Sequence, residues 1–235
     1  ENPGAVSLTH DSTAIVHPSY TEALQLQTRV ITSLSDSVPL RTSGIITEVP
    51  ESFSPASYRL RLQELADELA TLPVGKDAAR QFEDLIGEMV KLCFFRSLSN
   101  VVPRFRNNSN TAIRDWIASN RSTAGFWSIV RQKYDATQII WECKNYADLA
   151  SDDFQQAAYY MNSKAGRFLI MICRAGSPFP SHLFEHVSRV HQQTGGLVML
   201  LRESDVRTFL RQAINGKQSE QHLQDIFDNT ERLIA

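Results

Sequence analysis

Cysteine is scarce in this chain: Cys93, Cys143 and Cys173 are all that 235 residues contain. They lie far apart without zinc spacing, each in an apolar run, as small buried side chains do. A disulfide-stapled framework is therefore excluded, and reduced thiols in a cytoplasmic setting are expected. Long apolar runs are missing too, so neither a membrane-spanning segment nor a signal peptide is expected. No charge dominates. Lysine and arginine number 24 against 26 acids, a net charge of −2, so no global field draws the molecule onto a polyanion, and nucleic-acid binding would need a local basic patch. Nucleophile signatures of the Ser-His-Asp or Cys-His kind are absent, and "AGS" and "TGG" are too short for phosphate loops. His182 and His186 share a helical face, but Leu183-Phe184-Glu185 between them does not reproduce the metalloprotease motif, so a solvated face is the plainer reading.

What is present is ordinary globular material, 42% hydrophobic and 21% charged, enough for one good core with a small appendage. The chain opens on Glu1 rather than Met, as a domain excised from a longer protein does. Residues 1–54 read as an N-terminal extension or the end of a preceding domain, with short extended pieces, a helix over 20–36 and a proline-bearing connector. Residues 55–235 read as the main domain. Ser54-Pro55 is a helix start, followed by Leu60, Leu62, Leu65 and Leu69 at helical spacing. The next helix carries Ala79, Phe82, Leu85, Ile86, Met89, Val90 and Cys93 at the 3.6-residue period. Short strands then follow in "VVPRF", "TAIRDWIAS" and "ATQIIWECKNY", with a helical piece over 122–134. "DDFQQAAYYMNSK" is a helix, and "RFLIMICR" is a strand without alternation, hence buried on both faces. Helix 181–194, strand 196–201, helix 203–214 and a last amphipathic helix complete the order. Helices, then strands, then a strand–helix rhythm predict an α/β sandwich with a mixed central sheet flanked by helices.

One stretch carries chemistry. In "IIWECKNY", strand alternation sets Glu142 and Lys144 side by side with Cys143 behind them. Taken alone they are a surface ion pair of little worth. Asp115, in "IRDWI", changes the weighing, because it sits between Ile113 and Ile117 on an inward face where an unpaired carboxylate is costly. Phosphodiester hydrolysis needs an activated water and a neutralised transition state. Hard divalent cations such as Mg²⁺ or Mn²⁺ supply both through carboxylates and other oxygens. Asp115 and Glu142 on neighbouring strands suit such an ion, with the Cys143 backbone carbonyl as a further ligand, and Lys144 on the same face can orient water or stabilise phosphate charge.

In order and spacing, "QFEDLIGEMV", "IRDWI", "IIWECKNY", "FQQAAYYM" and "GRFLIMICR" resemble the PD-(D/E)xK nuclease superfamily, the restriction-endonuclease-like fold, and within it the domains of prokaryotic restriction and defence proteins. The likeness covers about residues 76 to 201, and departs from the motif in having Arg114 where proline precedes the aspartate. It implies that Asp115 and Glu142 bind metal and that Lys144 positions or activates water. It implies further that Glu83 projects toward the site, and that Gln156 with Tyr160 borders it, although Gln155 with Tyr159 fits the same spacing. It also implies a metal-dependent endonuclease in an anti-phage or restriction system, acting on double-stranded DNA as a dimer or within a larger assembly. Alternatives remain: a nuclease-fold module without catalysis that binds nucleic acid or a protein partner, or a nuclease acting on RNA.

The surroundings of the motif are locally basic, through Lys91, Arg96, Arg104, Arg106, Arg114, Arg121, Arg131 and Lys133. Arg104, Arg106 and Arg114, together with Asn145 and Tyr160, are the expected nucleic-acid contacts. Ordinary solvated charge explains the basic residues equally well. Glu88, Asp135, Asp152 and Asp153 read as surface, turn or helix-start charges.

Overall fold

The computed structural model describes residues 46, 48–106, 113–161 and 166–235. The extended pieces and the helix expected within residues 1–36 lie outside the described residues, as does the tip of the "RFRNNSN" loop.

Helix α1 (Pro55–Thr71) begins where the sequence marks it. Ser54 stays extended and its hydroxyl oxygen accepts the Ser57 N–H at 3.2 Å, while Pro55 occupies a position where a missing N–H costs nothing. Tyr58, Leu62, Leu65 and Leu69 point inward, whereas Leu60 is exposed rather than on that face. A 3₁₀ turn (Lys76–Ala78) leads into helix α2 (Ala79–Cys93), whose buried stripe runs through Phe82, Leu85, Ile86, Met89 and Val90. Arg61 clamps the two helices, donating from Nε and Nη2 to the two oxygens of Glu88 at 2.6 Å each. Glu88 is thus an anchor between helices and not a loose surface charge.

Strands β1 (Leu98–Arg106), β2 (Ile113–Asn120), β3 (Gln138–Lys144), β4 (Phe168–Cys173) and β5 (Leu197–Arg202) form one mixed sheet in the order β1-β2-β3-β4-β5. The first three are antiparallel neighbours and the last three parallel. Chain connectivity explains the change. Helix α3 (Gly125–Tyr134) bridges antiparallel strands, while α4 (Ser151–Tyr160) and α5 (Ser181–Thr194) are the crossovers that parallel pairing requires. Every residue of β4 is buried, as its unbroken apolar run predicts. Helices α6 (Glu203–Ile214) and α7 (Gln221–Ile234) close the domain. The result is an α/β architecture with an open five-stranded mixed sheet flanked by helices. Among the described residues no helix is long and apolar enough to cross a membrane.

Two features fix the sheet against α2. Phe94, just past α2, stacks on Trp141 of β3 at 5.7 Å and meets Trp127 of α3 edge-on at 5.5 Å. Trp116 of β2 lies against Gly87 so closely that a Cβ there would come within 1.9 Å of the indole. Its Nε1 donates to the Glu83 carbonyl at 2.8 Å, which holds the first half of α2 over the end of β2.

Candidate active site

The site forms where the β2–β3 ladder stops. Pairing runs to Trp116↔Trp141, and one step further in the same register Asp115 stands opposite Glu142. There the Asp115 side chain replaces the ladder, its Oδ2 accepting the Cys143 N–H at 2.8 Å. A strand residue's N–H and carbonyl leave the same edge, so the Cys143 carbonyl expected as a ligand is directed toward the β2 side as well. Cys143 itself is buried.

Lys144 is held from three directions. Its Nζ lies 3.0 Å from Glu142 Oε1 and 3.3 Å from Asp153 Oδ1, and donates to Gln156 Oε1 at 2.8 Å. The Gln156 amide passes on to the Tyr160 hydroxyl oxygen at 2.6 Å. This resolves the ambiguity of the glutamine helix. Gln156 and Tyr160 face the site, whereas Tyr159 is 59% exposed and Gln155 bonds Ser151 on the outside.

Charge is crowded in this pocket. Glu142 is 2% exposed, and its Oε2 is buried with no hydrogen-bond partner. Burial first, and then the neighbouring Asp115 charge, push its carboxyl up to about 8. Asp115 is raised by burial, against the pull of the Cys143 N–H and Lys144. Glu83, at the start of α2, is pushed up to about 7 by burial and by Asp115. Its charge is felt at the site in turn, adding to the rise of Glu142. Burial works against the Lys144 charge, but Glu142 and Asp153 reverse it, and the ammonium is raised above the ordinary lysine range. Among the described residues no group of three or more His, Cys, Asp or Glu side chains stands close enough together to hold a metal ion.

The expected nucleic-acid contacts fare differently. The Arg104 and Arg106 side chains lie outside what is described. Asn145 is buried, and its amide is spent within the fold, donating to the Pro73 and Gly75 carbonyls and accepting from Arg174. It is a buckle between the strand end and the loop before α2, with no surface left for a phosphate. Arg114 is 4% exposed. It lies 5.4 Å from the Tyr160 ring and donates from Nη2 to the Tyr160 carbonyl at 3.1 Å, with its Nε buried and unpartnered. Burial lowers its pKa. Tyr160 is buried as well, so both residues line the interior of the site and not an outer face.

Sequence reasoning missed Asp153. It does act at the helix start, accepting the Ala150 N–H at 2.8 Å, but it also grips Lys144 and accepts the Tyr146 hydroxyl at 2.6 Å. The signal was available: Asp153, Gln156 and Tyr160 fall on one helical stripe at steps of three and four.

The fold and site thus define an α/β domain in which buried Glu142 and Lys144 meet half-buried Asp115 where the β2–β3 ladder ends. The chain is 22% identical over 163 residues to a putative transposon gamma-delta 80.3 kDa protein of Escherichia coli strain K12. That match takes in 68% of this chain and 22% of the relative, so the chain spans about a fifth of that protein. No family model matches, and no solved structure matches.

Proposed function

We propose that this chain is a PD-(D/E)xK-type nuclease domain of restriction-endonuclease-like fold, hydrolysing DNA phosphodiester bonds with a divalent cation. One observation carries the reading: Lys144 Nζ lies 3.0 Å from Glu142 Oε1, and Asp115 of the neighbouring strand accepts the N–H of Cys143, the residue between them. A structural ion pair would not need a second, half-buried carboxylate beside it, since bringing like charges together away from water is costly.

The residues suit a hard cation. Asp115 and Glu142 offer carboxylate oxygens, one of them buried without a donor, and the Cys143 carbonyl is directed toward the same edge. A carboxyl raised by burial and by a neighbouring acid, as Glu142 is by Asp115, gains most from a positive charge beside it. Bound there, Mg²⁺ or Mn²⁺ would supply Lewis-acid charge to the phosphate and lower the pKa of water. Lys144, kept protonated by Glu142 and Asp153, serves as a fixed cation that orients the attacking water and neutralises charge growing on the phosphate, and not as a base. Gln156 and Asp153 hold its ammonium in register. Glu83 is the remaining acid, and with a pKa of about 7 it is suited to take or return a proton at neutral pH.

The similarity to a putative transposon protein favours DNA over RNA as the substrate, and the proposal extends to a role in prokaryotic restriction or anti-phage defence. The test is plasmid cleavage in Mg²⁺, Mn²⁺ or EDTA, with Asp115→Ala and Lys144→Ala checked for folding. Metal-dependent cutting that falls at least about a hundredfold in each variant is expected, the scale of removing one charge-stabilising group. A folded wild type that cuts neither DNA nor RNA in any metal would leave a binding module in its place.

A further inference from the structure

Among the described basic residues that precede the motif, Arg114 lines the carboxylate site, but the others lie elsewhere. Lys133 pairs with Glu231 at 2.6 Å, and Lys91 sits over the Trp116 ring. Arg96, Arg121 and Arg131 instead line two adjoining cavities of about 440 and 620 Å³ that share Ser122 and Thr123. The other walls are mostly hydroxyls and amides, among them Ser97, Ser99 and Gln132. Of the acids nearby, two are matched by arginines, one of them Arg96 itself, and Asp135 also lines the second cavity. Glu48 binds Arg96 and Asp135 binds Arg167, while Glu220 accepts the Ser97 hydroxyl at 2.6 Å and the Phe126 N–H at 2.8 Å.

The groove has a rigid floor. Asn120 is buried, donates to the Trp127 and Ala136 carbonyls, and accepts the Ser122 N–H. Ser122 Oγ donates to the Ser97 carbonyl at 3.2 Å. Along β2 the groove lies about 17 Å from Asp115, five residues at ~3.3 Å each, so one phosphate cannot engage both. We propose that this groove binds the phosphate backbone of a polynucleotide at a distance from the carboxylate cluster. Guanidinium forks and hydroxyl donors are the groups that position nucleic-acid backbones without reading bases. Two cavities in a row, each with its own arginine, match successive phosphates better than a single free anion.

The test is fluorescence anisotropy of a labelled DNA duplex in EDTA, which isolates binding from cutting, using the full chain and its Arg121→Glu and Arg121→Glu/Arg131→Ala variants. Arg121 is exposed, so the single variant should fold as wild type does. Expected are an affinity loss of about tenfold or more for Arg121→Glu, and a salt dependence shallower by roughly one unit of slope per arginine removed. Unchanged affinity and slope in both folded variants overturn the proposal. So does full competition by inorganic phosphate at an equal concentration of phosphate groups, which would mark a single-anion site. The nuclease reading fails separately: arginine-dependent binding without metal-dependent cutting removes that reading and leaves the groove, while cutting with arginine-independent binding does the reverse.

Discussion

At the scale of single residues, the candidate site is a place where stability has been given up. Glu142 carries a buried oxygen with no donor and a carboxyl raised to about 8, while Glu83 is raised to about 7. Both folded-state values lie above the ordinary carboxylate range, so the folded protein holds protons that the unfolded chain releases. The stability they contribute is present below about pH 4.5 and is lost as pH rises toward 7 to 8. The metal-free protein is therefore expected to melt lower at pH 8 than at pH 5.5. Glu142→Gln should flatten that dependence and stabilise the apo protein at pH 8 by about 1–3 kcal/mol, the cost of an unsatisfied buried polar group. Thermal melts across pH with and without Mg²⁺ check this. A Glu142→Gln protein less stable than wild type at pH 8 would contradict it. Asp153 belongs to the same scale. Asp153→Asn keeps an acceptor for the Ala150 N–H but removes one of two carboxylates at Lys144. It should lower kcat more than it raises KM, by about tenfold, while its melting temperature moves little. Steady-state cleavage kinetics would show a KM-only effect if Asp153 merely shaped the surface.

At the scale of elements, the contact between α2 and β2 decides whether Glu83 reaches the acids at all. Gly87 is there because Trp116 leaves no room for a Cβ. Gly87→Ala would be helix-favouring on propensity alone, by about 1 kcal/mol, yet overpacking typically costs about 1–3 kcal/mol, and a rigid indole backed by strand cannot yield like a flexible chain. A net destabilisation is expected, relieved in Gly87→Ala/Trp116→Leu, where denaturant unfolding of the double-mutant cycle should give a coupling of at least about 1 kcal/mol. Additive effects would mean that the helix simply moves aside. Much of this layer was legible in the sequence. Ser54-Pro55 marked α1, the 3.6-residue stripe from Phe82 to Val90 marked α2, and the unbroken apolar run of β4 marked it as buried on both faces. The acid–lysine cluster was legible because strand alternation fixes Glu142 and Lys144 on one face. What could not be read was anything that depends on side chains meeting from distant segments. Asn145 looked like a nucleic-acid contact until the Pro73–Gly75 loop and Arg174 came to it. Arg114 looked like a phosphate contact until Tyr160 covered it. Asp153 looked like a helix-start charge because its second role requires β3 beside α4.

At the scale of the whole molecule, the boundary of the domain is the question that energetics can answer. The compact unit that holds the sheet runs over Gly44–Ala235, ten residues earlier than the helix start at Ser54 suggests. The difference is not idle chain. Ile46 is buried, Val49 and Phe53 pack on the core, the Phe53 ring meets Tyr58 edge-on at 6.1 Å, and Glu48 Oε2 pairs with Arg96 Nε at 2.8 Å. Tyr58 in turn donates from its hydroxyl to the Leu92 carbonyl at 2.7 Å, so this short segment seals the seam between α1 and α2. Each well-buried apolar side chain contributes about 1.5–3 kcal/mol, and the exposed ion pair adds little. Removing residues up to 54 is therefore expected to cost about 3–5 kcal/mol, enough to lower the melting temperature by roughly 10 °C in a domain of this size. A chain shortened only to begin at Gly44, which keeps these contacts, is the reference for that loss. Side-by-side melts of the two shortened chains decide it. Equal stability would mean that Ile46, Val49 and Phe53 cover the core without holding it, whereas a large gap confined to the shorter chain places the start of the folding unit ahead of the first helix.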